Sequence, residues 1–135
     1  MNANLKNLFE HAQKARENSY SPYSRHKVGA AVRTTSGKIY SGCNVENSSY
    51  GATNCAERVA IQNAIAAEGR VEIAEIIVVT DAPVPWPPCG MCRQVLAEFG
   101  KPGMLIHAAN LDAGLTSSTL GELLPHAFTP EFLEQ

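Results

Sequence analysis

Apolar residues recur over the first positions at the spacing of one helical face. Leu5, Leu8, Phe9, Ala12 and Ala15 fall on a single stripe, which predicts an amphipathic helix over residues 3 to 18. Pro22, within SYSPYS, breaks it. The period then changes. KVGAAVR and KIYSGC flank TTSG, a turn-like cluster between two β-compatible runs, so an antiparallel hairpin is expected over residues 27 to 43, with Val28, Ala30 and Val32 on one face. From Cys55 to Glu68 the helical spacing returns through Ala60, Ile61, Ala64 and Ile65 before Gly69, predicting a buried, alanine-rich helix with a glycine stop. EIIVVT, residues 75 to 80, is β-branched and nearly continuous, as in a central strand covered on both faces. After the proline-rich loop APVPWPP, a helix is expected to open near Cys89, turn Val95, Leu96 and Phe99 inward and end at Gly100, with MLIHAA as the next strand. Strand, helix and strand in that order form a right-handed parallel crossover. LTSSTL reads as an edge strand and GELLPHAF as a short helix stopped by Pro125. The whole, residues 1 to 135, is expected to be one α/β domain with a mixed sheet and helices on both faces.

Composition narrows the setting. With 135 residues, 44% of them apolar, the chain can bury a single core without stapling. Its 4 cysteines fall short of the density of small secreted scaffolds, and MNANLKNLFEHAQKA contains no apolar run resembling a signal peptide, so a cytoplasmic protein with reduced thiols is expected. No window approaches the ~20 apolar residues of a membrane span. The 11 Lys and Arg against 13 Asp and Glu give a formal charge of -2, spread without blocks. That leaves no electrostatic footprint for nucleic acid and suits a small neutral substrate.

The candidate chemistry lies in PPCGMC, residues 87 to 92, whose cysteines could form a disulfide, a redox couple or half of a metal site. Cys55 and the Cys89/Cys92 pair both fall at the first turn of a predicted helix, where partial positive charge and unpaired N–H groups lower a thiol's pKa and prepare it for metal. Two such helices on one side of a parallel sheet would gather three sulfurs at the carboxyl ends of the strands. Three thiolates make a zinc site one ligand short, and catalytic zinc keeps that fourth position for water or substrate. His107 or His126 could instead complete a structural site. Cys55-Ala56-Glu57 sets a carboxylate two residues beyond a ligand, where it could shuttle protons. Side chains two apart in a helix diverge by ~200°, so convergence demands that Cys55 stand at or before the first helical residue. Cys43, in a predicted strand, reads as a small buried hydrophobe, and Trp86 as packing for its loop.

GCNVEN, NCAER and PCGMCRQ, with Cys89 34 positions beyond Cys55, resemble segments of the small tetrameric cytidine deaminases of nucleoside salvage. The likeness extends over nearly the whole chain through PYS, KVGAAV and ELLPHAF. It implies a three-layer α-β-α sandwich with a mixed sheet of about five strands. It also implies zinc-dependent hydrolytic deamination of cytidine and 2′-deoxycytidine in pyrimidine salvage, with one Zn²⁺ per subunit on Cys55, Cys89 and Cys92. By the same resemblance Glu57 takes the proton of water, delivers it to ring nitrogen 3 and helps the amine leave. Arg58 donates to the ligand sulfurs and offsets their charge. Asn44 and Glu46, two apart in an extended segment and so on one side, match ribose-binding groups. Ala56 matches a backbone contact to the base, and Phe128 an aromatic that reaches a neighbouring subunit's pocket in a homotetramer. His26 stands where the family usually has a stacking Phe before VGAA. An imidazole offers less apolar area and a proton-dependent charge, which opens the range toward modified cytidines. The rival readings are a deaminase acting on blasticidin S or a polynucleotide base, the latter opposed by the missing basic stripe, and a zinc-binding interaction module with no use for Glu57.

Overall fold

In the computed structural model of the chain, which describes residues 1–134, Asn2 caps the first helix: its Oδ1 accepts from Leu5 N at 2.8 Å. Helix α1 (Ala3–Arg16) closes with Lys14 and Arg16 in the last turn, where cations face the free carbonyls. Then come β1 (Gly29–Thr34), β2 (Ile39–Cys43), α2 (Ala56–Glu68), β3 (Ile73–Thr80), α3 (Gly90–Phe99), β4 (Leu105–Asn110), β5 (Leu115–Thr119) and the short α4 (Leu120–Leu123). The five strands run in the order β2-β1-β3-β4-β5. β1 is antiparallel to both β2 and β3, β3 is parallel to β4 across α3, and β5 closes the edge antiparallel. The sheet is mixed and five-stranded, as expected.

Strand alternation divides the core in two. Ala30, Val32, Ile76 and Ile106 face Ala60, Ile61 and Ala64 of α2 and Leu96 of α3. Ala31, Ile77, Val79 and Ala109 face Leu5, Leu8 and Ala12 of α1. Helices therefore cover both faces, and β3 in the middle is buried without interruption from Ile76 to Thr80, which is why its sequence reads as a continuous apolar run.

Three local expectations are corrected. α1 stops at Arg16, two residues early. Val28 precedes β1, although it packs beside Ala30 and Val32 on the α2 side. α2 is buried along one face only, with Gln62, Asn63, Ala66 and Ala67 exposed, so alanine serves helix propensity there as much as packing. α4 is held by a capping box between Thr119 and Glu122. Among the described residues no helix is long and apolar enough to cross a membrane.

Two glycines set the spacing between helices and sheet. A Cβ at Gly29 would lie 2.0 Å from Ala12 O, and one at Gly42 would lie 2.6 Å from Ala60 N and 2.9 Å from Val59 Cβ. Gly42→Ala must therefore push α2 off the sheet. The expected cost is about 1–3 kcal/mol, read as a lower Tm in thermal unfolding; an unchanged Tm would show that the helix yields without loss.

Candidate active site

The amino ends of α2 and α3 meet on one face of the sheet, beside the carboxyl end of β3, where Val78 and Thr80 line the cavity between them. Cys55 is the residue before α2, with φ -69° and ψ 153°, and Cys89 the residue before α3, with φ -65° and ψ 168°. Both are extended, not helical. The demand set by the Cys55–Glu57 spacing is met: Cys55 stands outside the helix, so its sulfur and the Glu57 carboxylate turn into the same cavity. Cys92 comes one turn into α3, fully buried. The three Sγ atoms lie within 4.8 Å of one another.

Electrostatics bind these groups together. Cys55 is lowered to about 5, first by the hydrogen bond from Cys92 and then by the Arg58 guanidinium, whose Nη2 lies 3.2 Å from its Sγ. Cys92 is driven the opposite way by the same contact and by burial. Two thiols this close resist ionising together unless a cation joins them. Glu57, 5% exposed, is pushed up to about 7, chiefly by burial.

The donor set fits zinc. Three soft thiolates at this separation match Zn–S bonds of ~2.3 Å. The Arg58 guanidinium, whose buried Nε has no hydrogen-bond partner among the described residues, adds positive charge beside Cys55. Neither histidine completes a fourth ligand: His107 is held at 2.8 Å by Glu75 Oε2 and at 2.7 Å by Ser117 Oγ, and among the described residues the cluster consists of the three cysteines. Cys43, at the end of β2, stays apart from it.

Beside the sulfurs opens a cavity of about 270 Å³, lined by His26, Asn44, Glu46, Ala56 and Glu57 among others. Asn44 Oδ1 accepts from Val28 N at 3.0 Å and from Ser19 Oγ, while its Nδ2 donates to His26 O at 2.8 Å. Glu46 Oε1 accepts from Tyr23 N at 2.9 Å and Ser24 N at 3.0 Å, and Oε2 from Ser24 Oγ. The Ser24 hydroxyl holds this carboxyl below its usual range. The two side chains thus latch the segment that carries His26, and each still has hydrogen-bonding capacity: a second amide proton on Asn44, a lone pair on Glu46. Within that segment Arg25 adopts φ 60°, a left-handed conformation tied down by Arg25 N to Ser21 O at 3.0 Å.

One residue differs from expectation in position. Trp86 lines the cavity, with its ring centroid 5.0 Å from that of His26. Its location in the loop leaving the carboxyl end of the central strand was the available signal. Phe128 is 56% exposed, outside the cavity, and stacks on Phe132 at 5.5 Å. Helix α3 ties these parts to one another. Arg93 donates to Pro88 O at 2.8 Å and to Leu123 O at 2.9 Å, and Gln94 Nε2 donates to Phe128 O at 2.8 Å.

Residues 2–108 match the family described as "Cytidine and deoxycytidylate deaminase zinc-binding region". The chain belongs to that deaminase family. A relative named cytidine deaminase in Halalkalibacterium halodurans is 48% identical over 124 residues, 92% of this chain and 93% of its own. Another of the same name in Sporosarcina psychrophila is 44% identical over 96% of this chain and 94% of its own. In structure, the cytidine deaminase of Burkholderia pseudomallei superposes with a TM-score of 0.86 at 48% identity, covering 91% of this chain and 98% of that one. Membership accounts for the three-cysteine cluster, which fits one zinc ion per chain.

Proposed function

We propose that this chain deaminates cytidine and 2′-deoxycytidine hydrolytically, giving uridine or deoxyuridine and ammonia, as a step of pyrimidine salvage. The carrying observation is a buried carboxylate, Glu57, lining one cavity with Cys55 and Cys89 of the three-thiol cluster, while Asn44 and Glu46 line the same cavity. When bound, zinc supplies a Lewis acid that lowers the pKa of a water molecule to ~7.

The chain's own residues do the rest. Glu57, with a pKa near 7, can take a proton from the attacking water and pass it to ring nitrogen 3, then take the proton of the hydroxyl added at carbon 4 and pass it to the amine, which leaves as ammonia. Arg58 keeps Cys55 as a thiolate. Ala56, the first residue of α2, has a backbone N–H without an intrahelical acceptor, and this suits a contact to the base. The spare amide proton of Asn44 and the spare lone pair of Glu46 suit the ribose hydroxyls, so a nucleoside is required and a free base is not enough. His26 extends the range toward modified cytidines. The exposed Phe128 enters the cavity of a neighbouring subunit in a homotetramer. Reduced thiols, which the site needs, support a cytoplasmic setting.

The test follows ultraviolet absorbance of cytidine, deoxycytidine, cytosine and blasticidin S with the purified protein, beside a zinc assay and sedimentation. Both nucleosides should be converted and cytosine left intact. Zinc without turnover on any of them would make the chain a binding module, and preferential turnover of blasticidin S would move it to that substrate. Full activity in a monomer would remove Phe128 from the site.

A further inference from the structure

The chain has a single tryptophan, and the fold places it on the cavity wall. Trp86 lies between Pro85 and Pro87, whose rings restrict the backbone around it. Its indole meets the His26 imidazole at a ring-plane angle of 70° with centroids 5.0 Å apart. A ring that only packed its own loop would be covered, yet Trp86 stays 38% exposed. Two rings near a right angle form a corner. A flat heterocycle entering it can stack on one ring and meet the edge of the other, the two arrangements that aromatic pairs favour. One side of this corner is latched, since His26 N donates to Ser24 Oγ at 3.1 Å and His26 O accepts from Asn44. The other side sits on the loop that leads to Cys89.

We propose that Trp86 is a specificity-determining residue: its indole supplies stacking surface for a pyrimidine base that an imidazole at position 26 lacks, and the two rings act as one recognition element. The inference rests on the deaminase reading of the site. Because Trp86 is the sole tryptophan, its emission reports on this ring alone. Titrating the zinc-loaded protein with uridine should change that emission saturably, with a midpoint equal to uridine's inhibition constant in the cytidine assay. Trp86→Leu should raise KM for cytidine about tenfold, the scale of losing one base–aromatic stack, with kcat and zinc content held. Trp86→Phe should recover most of the loss. His26→Phe should recover part of it in the Leu background, so that the two positions are non-additive. Wild-type KM in Trp86→Leu, or emission blind to uridine at concentrations that inhibit turnover, would overturn the proposal. So would a parallel fall of kcat and zinc content in both Trp86 variants, which would reduce the residue to a brace for the Cys89 loop. Absence of cytidine turnover in the unaltered protein, measured first, would strike the deaminase reading itself.

Discussion

Glu57→Gln is expected to lower kcat for cytidine by ~10²- to 10⁴-fold, the usual contribution of a positioned acid/base, while the protein keeps its zinc. The amide has nearly the carboxylate's shape, and at 5% exposure Glu57 leaves little room for rearrangement, so the cysteine geometry should survive. What is lost is a group that can hold and release a proton. The pH profile gives an independent reading. Burial raises the carboxyl to about 7, and the ionised form is the base, so kcat/KM should climb as pH rises through that value and level off above it. A nearby cation favours the carboxylate and shifts the limb lower, never higher. Turnover in Glu57→Gln within tenfold of the parent, or with the same acid limb, would take Glu57 out of proton transfer.

A comparable loss belongs to Cys92→Ala. Cys92 is fully buried against Cys55, and removing it leaves two sulfurs where three are needed. Zinc content should fall well below one per chain, cytidine turnover should vanish, and Tm should drop, because an ion that binds only the folded chain stabilises it by ~4 kcal/mol at a thousandfold excess over Kd. Stripping the unaltered protein with a chelator should give the same loss, reversed by added zinc, whereas the variant should not recover. Cys43→Ala should change neither zinc nor turnover, since Cys43 lies apart from the cluster. A zinc-replete, active Cys92→Ala protein would sink the three-thiolate site.

Much of this arrangement could be read from residue order. The continuous run at residues 75 to 80 marked the central strand, and the spacing of Cys55 from Glu57 demanded an extended residue before a helix, which the backbone supplies. Periodicity gave less at the margins. An alanine-rich helix looks equally apolar on every side, so the exposed face of α2 had no signature beyond Gln62 and Asn63. The likeness of Asn44 and Glu46 to ribose-binding groups did not reveal that they latch the segment carrying His26, because the carbonyl and amides they hold belong to residues 16 to 23 positions away in sequence. Trp86 read as loop packing for a related reason: its partner, His26, lies 60 positions earlier in the sequence, and only the folded sheet brings the two rings together.

The bracing of α3 has a consequence for anyone trimming the protein. One side chain, Arg93, clamps the carbonyl just ahead of Cys89 to the last residue of α4, and its neighbour Gln94 grips the backbone at Phe128. The carboxyl-terminal tail is thus geared to the metal-bearing loop through adjacent side chains of one helix. Shortening it beyond residue 127 frees Gln94, and cutting into α4 slackens Arg93 as well, so truncations chosen for expression or crystallisation would alter metal retention at a point far from the cut.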